Sequence, residues 1–243
     1  MNTLLIDNSN SRTKFALAGK EGLGERRAIA TADLDAHSVA ATLKDWEFER
    51  IVLSSVVPEK GDLIRAAYPD KTLTVNHEIA LGVAIDFPEP STIGADRLPN
   101  AAALAALYEV PGVVIDFGTA VTFDIVSAAG AYVGGVIAPG LEAMTDYLHE
   151  RTALLPRIEI SEPGGVVGKS TEEAMLSGAV YGYRGLIRGI LSVIRAQAGE
   201  SLHAVATGGY AELISARLPE IEAVNPDLTL EGLRIIGELN PLT

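Results

Sequence analysis

No cysteine occurs anywhere in the chain, so disulfides, thiolate metal sites and cysteine nucleophiles are all excluded. Positive charge is scarce as well: 19 Lys and Arg against 32 Asp and Glu leave a formal net charge of −13, and the basic residues form no cluster. Neither a nucleic-acid backbone nor an anionic membrane is therefore an expected partner, although a small anion needs only a few N–H groups, one Lys and a metal ion. No apolar run reaches the ~18 residues of a membrane helix, and the chain enters a strand almost at once without the zones of a signal peptide, which points to the cytoplasm. The histidines, His37, His77, His149 and His203, show no metal-ligand spacing and no nucleophile partner.

What is present is a folded composition, 48% apolar and 21% charged, over 243 residues, enough for one large domain or two smaller ones. A repeated turn favours two. Leu4-Leu5-Ile6-Asp7-Asn8-Ser9-Asn10 and Val113-Val114-Ile115-Asp116-Phe117-Gly118-Thr119 are each an apolar strand delivering an Asp into a tight turn of small residues. Strand-like residues follow each turn, at positions 12–17 and 121–126, so each reads as a β-hairpin; one offset aligns Asp7 with Asp116 and Thr13 with Thr122. Two such hairpins suggest two similar domains whose carboxylates and backbone N–H groups converge on a polyanion and its metal ion, with nucleotide phosphates the obvious candidate.

Along the chain, a polar stretch after the first hairpin leads to a helix near 35–45, a strand over 50–57 stopped by Pro58, a short helix over 61–68 and a strand over 72–75. A loop rich in Pro and acid, 86–90, precedes Gly94-Ala95-Asp96-Arg97 and an Ala/Leu-rich helix ending near Glu109. Pro111-Gly112 breaks the chain there, giving expected domains of 1–111 and 112–243. The second part adds a strand at 131–133, a turn over 134–140 that opens a helix to about Arg151, and a long helix from Thr171 to about Gln197 with Gly199 as its C-cap. Ser170 with Glu173 fits a capping box, 204–206 reads as a strand, and 210–217 as a helix. Strands alternating with helices make this an α/β protein.

Several residues carry candidate chemistry, each beside a plainer reading. Asp7 and Lys14 flank the first hairpin and can both reach a phosphate at its tip, although an Asp at a strand end also simply forms turns. Gly118-Thr119 can offer N–H groups and a hydroxyl to a phosphate, or merely shape a hairpin. Thr207-Gly208-Gly209 could pack against a nucleoside. Asp96 is either the N-cap of the helix that follows it or a general base beside Arg97, which could hold an anionic group. The segment 164–171 approximates a phosphate-binding P-loop, but Pro163 stands where that motif requires Gly, so it reads instead as a loop leading to the helix N-terminus at Thr171, which could bind a ligand. Gly178, Gly182, Gly185 and Gly189 share one helix face, fit for close approach by a second subunit or by another part of the same one.

Taken together, these segments resemble the type III pantothenate kinases, of the superfamily of acetate and sugar kinases, Hsp70 and actin. The carriers are Asp7-Asn8-Ser9-Asn10-Ser11-Arg12-Thr13-Lys14, Gly94-Ala95-Asp96-Arg97, Asp116-Phe117-Gly118-Thr119, Gly134-Gly135-Val136-Ile137-Ala138-Pro139-Gly140 and Thr171-Glu172-Glu173-Ala174, in family order and nearly end to end. The resemblance implies two ribonuclease-H-like domains with mixed sheets flanked by helices, in an actin-like fold. It also implies ATP-dependent phosphorylation of pantothenate, the entry step to coenzyme A, by a homodimer. Asp96 would be the base; residues 7–14 and Thr119 would bind ATP with Mg²⁺; Asp116 would hold potassium or ammonium; Phe87, Gly94, Ala95, Asp96, Arg97 and Thr171 would hold the substrate. Two departures stand out: Ser9 replaces the family's Gly, and Phe87 replaces a frequent Tyr. Alternatives are a kinase of the same superfamily acting on another small molecule, or a non-catalytic nucleotide-binding relative that serves regulation.

Overall fold

The computed structural model describes residues 2–198 and 202–241; the expected cap at Gly199 lies outside them. The elements in order are β1 (Thr3–Asn8), β2 (Arg12–Gly19), β3 (Gly22–Ala30), α1 (Ala36–Leu43), β4 (Arg50–Ser55), α2 (Pro58–Ala67), β5 (Thr72–Thr74) and β6 (Ala84–Ile85). There follow α3 (Arg97–Leu107), β7 (Gly112–Phe117), β8 (Ala120–Val126), β9 (Ala131–Pro139), α4 (Leu141–Arg151) and α5 (Thr171–Ala198). The chain closes with β10 (His203–Gly208), α6 (Ala211–Ser215), β11 (Ala223–Val224) and α7 (Leu228–Leu239).

The strands form two mixed sheets, ordered β3-β2-β1-β4-β5 and β11-β10-β7-β8-β9-β6. Read from β9, the second repeats the order of the first and adds β6. In both, the hairpin strand that carries the Asp has a parallel neighbour on its other side, β4 beside β1 and β10 beside β7. Both faces of β1 are covered, which is why its sequence is a continuous apolar run. Leu4 and Ile6 join Phe15, Ile51, Leu53 and residues of α1 and α2 in one core; Leu5 joins Ala16, Val52, Leu98 and Ala102 of α3, and Leu230, Leu233 and Ile236 of α7 in another. The buried apolar residues Ala179, Val180, Tyr183, Ile187, Leu191 and Ile194 line one face of α5 and cover one face of β7 and β10.

Two compact units result. One contains residues 1–109, 126–134 and 227–243; the other contains 110–125 and 135–226. The units of packing are thus not two uninterrupted stretches of chain, because α7 returns to β1, β4 and α3. The return is tight: a Cβ on Gly232 would lie 1.9 Å from the Pro99 carbonyl oxygen. At the other end of α7, Arg50 donates to the carbonyls of Gly237 and Asn240 at 2.5 and 3.0 Å, and burial pulls the pKa of its guanidinium down.

Elements that the sequence did not suggest are β6, β11 and α7, and three of the segments it did describe differ from expectation. The polar stretch after the first hairpin is β3, an edge strand with charged residues on both faces, Glu25 and Arg27 meeting Trp46 on one and Arg26 pairing with Asp227 on the other, so that it carries no apolar alternation. The expected turn over 134–140 is a continuation of β9 up to Pro139, with α4 starting only at Leu141. The capping box at α5 is displaced by one donor: Ser170 Oγ accepts from Glu173 N as expected, but the Glu173 carboxylate accepts from Lys169 N.

Candidate active site

The tip of the first hairpin is held by a relay of hydroxyls. Asn8 Nδ2 donates to Thr13 Oγ1 at 2.8 Å, Thr13 and Thr31 hydroxyls lie 3.0 Å apart, and Thr31 Oγ1 donates to the Ser9 carbonyl at 2.7 Å. Since a hydroxyl has one proton and Thr31 spends its own on Ser9, Thr13 is the donor between the two threonines. Ser55 Oγ completes the set by donating to Asn8 Oδ1 at 2.7 Å. The side chains of Asn8 and Thr13 are therefore spent inside the protein, and it is Ser9, Asn10, Ser11 and Arg12 that are partly or fully exposed at the tip. No residue other than glycine has positive φ among the described residues, so Ser9 occupies the turn without backbone strain.

On the opposite face of β1, Asp7 is 4% exposed and accepts from Ser9 Oγ at 2.8 Å; its other oxygen lies 3.8 Å from Nζ of Lys14, its cross-strand partner. A buried carboxylate beside a half-exposed ammonium at the end of a strand can bind a metal ion and a phosphate together.

Asp96 occupies the N-cap position of α3, yet its side chain makes no capping hydrogen bond and its backbone is helical, φ −70° and ψ −24°. The reading of Asp96 as a helix cap thus fails. Its Oδ1 lies instead against Gly94, 2.8 Å from where a Cβ would stand, in a tight turn closed by Arg97 N donating to the Gly94 carbonyl at 3.0 Å. Ala95 completes that turn. Arg97 lies over the Tyr132 ring, 5.7 Å from guanidinium carbon to centroid, and Phe87 packs against the same ring at 6.1 Å and 52°. Gly134 admits Phe87 closely, its absent Cβ being 3.4 Å from the ring. Tyr132 was not anticipated; the only signal for it was a Tyr two residues before Gly134 in a strand.

In the second unit, Asp116 is the penultimate residue of β7, and the two-residue turn Gly118-Thr119 leads into β8. Gly140 N donates to the Thr119 carbonyl at 3.1 Å, and a Cβ at position 140 would stand 2.3 Å from that oxygen, so only Gly lets α4 begin there. Gly208, at φ +91°, closes on the carboxylate: its Cβ would be 2.6 Å from Asp116 Oδ1. Thr171 is exposed at the start of α5, beside a cavity of about 380 Å³ lined by Pro163, Gly164, Gly165 and Lys169 among others. Among the described residues no cluster of three or more His, Asp or Glu forms a metal site.

Two topologically equivalent hairpins, each ending in a strand-borne Asp, place the chain in the actin-like and sugar-kinase fold class. Solved structures of that architecture include a protein from Campylobacter jejuni described as a Baf family transcriptional activator, with a TM-score of 0.64, 18% identity and coverage of 96% of both chains. MreB5 of Spiroplasma citri bound to ADP superposes with a TM-score of 0.55 at 13% identity, covering 98% of this chain and 96% of its own. At these identities the likeness is one of fold alone. Sequence narrows the class: residues 3–193 match the type III pantothenate kinase family, and the chain is 48% identical to a type III pantothenate kinase of Akkermansia muciniphila over 99% of its own length and 100% of that protein's. The chain belongs to the type III pantothenate kinase family.

Proposed function

We propose that the chain transfers the γ-phosphoryl group of ATP to the primary hydroxyl of pantothenate, its family's reaction, with Asp96 as the base. The observation that carries this assignment is the Asp96 carboxylate itself, left out of helix capping and seated against Gly94 one residue before an Arg. In the transfer, Asp96 accepts the hydroxyl proton while the substrate oxygen bonds to the γ-phosphorus and the bond from phosphorus to the β-bridging oxygen breaks in line. Arg97 suits the pantothenate carboxylate, with the Tyr132 ring fixing its guanidinium plane and Phe87 supplying an apolar wall. Gly94 and Ala95 present backbone to the substrate, and Thr171 offers a hydroxyl. Lys14 and the exposed tip residues Ser9 to Arg12 face the polyphosphate in the first unit, and Thr119 serves ATP in the second.

The donor chemistry fits the ions expected of such a reaction: Asp7 offers a buried carboxylate for Mg²⁺, and the Asp116 carboxylate lies in a cradle that a Cβ on Gly208 would fill, suited to potassium or ammonium. Ions held by these carboxylates would supply positive charge for the phosphates. Support for a homodimer comes from α5, where Gly178, Gly182, Gly185 and Gly189 are exposed and no described atom lies within 4 Å of the Cβ each lacks. Among the described residues nothing outside α5 covers the glycine face, which favours a second copy over an internal contact. A cytoplasmic enzyme agrees with the use of ATP; no described helix is long and apolar enough to cross a membrane.

ADP release with ATP, Mg²⁺ and potassium, with and without pantothenate, tests the assignment. Asp96→Asn is expected to retain ATP binding and lose about 10²- to 10⁴-fold in turnover. Unchanged turnover would remove Asp96 from the reaction, and ADP release indifferent to pantothenate would point to another acceptor.

A further inference from the structure

Each hairpin carboxylate has a buried hydroxyl beside it. In the parallel pairing of β1 with β4, Asp7 stands opposite Ser54; in that of β7 with β10, Asp116 stands opposite Thr207. Residues opposite one another in parallel strands point to the same face of the sheet. Ile115, Phe117, Ala204 and Ala206 face the core under α5, so Asp116 and Thr207 share the other face. Ser54 is 0% and Thr207 1% exposed, and neither Ser54 Oγ nor Thr207 Oγ1 has a hydrogen-bond partner among the described residues.

A buried hydroxyl without a partner is costly, and the cost is avoidable at 207: Val114 and Val205 occupy that same face one pleat away, and valine has the shape of threonine. That the same pairing recurs at both hairpins argues against an accident of one strand. The geometry points to Thr207 Oγ1 as a neutral oxygen ligand at the Asp116 cation site, an inference that rests on Asp116 holding a monovalent cation. One carboxylate with neutral oxygens around it suits an ion of single charge, which exchanges hydration water for hydroxyl and carbonyl oxygens. Gly208 contributes by bringing the chain after Thr207 down onto Asp116 Oδ1.

The test is the rise in melting temperature of the ADP- and Mg²⁺-loaded protein as KCl replaces choline chloride at constant ionic strength, in wild type, Thr207→Val, Thr207→Ser and Asp116→Asn. Thr207→Val should raise half-saturating potassium about threefold to tenfold, while Thr207→Ser, which keeps the oxygen, should stay near wild type. Without ligands, Thr207→Val should melt no lower than wild type, since it removes a hydroxyl that nothing satisfies. Wild-type potassium response in Thr207→Val, with loss only in Asp116→Asn, would overturn the role of Thr207 and leave Asp116 standing. A shift with ADP weakened equally in potassium and choline would assign the hydroxyl to the nucleotide and overturn the inference. No potassium-specific shift even in wild type would overturn both.

Discussion

Replacing Gly94 with Ala should separate stability from catalysis. The new Cβ would stand 2.8 Å from Asp96 Oδ1, and ordinary contact begins near 3.4 Å, so the carboxylate oxygen must retreat by about 0.6 Å. Nothing else opposes the methyl: the next atoms are Cγ and Cδ of Arg97, both at 3.8 Å, and Gly94 does not lie in the left-handed region. Folding should therefore tolerate the change or gain about 0.4 to 1 kcal/mol, because Ala restricts the unfolded chain more than Gly. Catalysis should not tolerate it. A base displaced by a sizeable fraction of an ångström no longer meets the substrate hydroxyl in line, and misplacement on the ångström scale costs roughly 10²-fold, about 2.7 kcal/mol of transition-state stabilisation. Steady-state kinetics with pantothenate, run beside thermal melts of the same preparation, give both quantities. Equal or higher melting temperature with turnover within about twofold of wild type would refute the argument, since it would mean that Asp96 does its work from elsewhere or not at all.

Tyr132→Leu removes the ring under Arg97 and should raise KM for pantothenate about twofold to tenfold with little change in kcat, whereas Tyr132→Phe, which keeps the ring, should not; equal KM in all three proteins would dismiss the stacking contact. At Gly185 an added Cβ meets nothing within 4 Å among the described residues beyond its own helix, and leucine improves helix propensity, so Gly185→Leu should leave the fold intact while turning a dimer into a monomer in sedimentation; an unchanged mass would move any interface away from α5. The third concerns acid stability. Glu162 accepts from Arg184 at 2.6 and 3.1 Å, and these bonds, with the charge of Arg184 and Arg217, hold its pKa below the usual value. A depressed carboxylate stabilises the fold above its unfolded pKa and loses that contribution as pH falls through the folded one. Melting temperature should therefore drop below about pH 4.5 more steeply in wild type than in Glu162→Gln, and parallel profiles would show that the pair contributes nothing.

Much of the frame was legible because the hairpins combine an apolar strand with a turn of small residues, a local pattern that needs no tertiary knowledge. What escaped was set by tertiary context. β3 shows no alternation because an edge strand may expose charge on both faces; β9 contains Gly134-Gly135, which locally spell a turn, yet the strand passes through them. β11 and α7 follow the last segment for which periodicity suggested an element. Among the candidate site residues, Asp7, Lys14, Asp96 and Asp116 stand out in the sequence by type and spacing. The residues that shape the two hairpin tips do not: Thr31 and Ser55 are ordinary hydroxyl residues until the first tip is folded onto them, and Gly140 looks like any glycine before a helix until Thr119 is seen against it.

The path of α7 bears on the order of synthesis. One roof of the first sheet is built by α3 and α7 together, with Leu230, Leu233 and Ile236 completing the core over Leu5 and Val52, and yet every residue of the second unit is translated between those two helices. On the ribosome the first sheet must wait, half-roofed and with its apolar face open, while the whole second unit emerges and can fold. The first sheet, although synthesised first, is thus the one whose core is completed last.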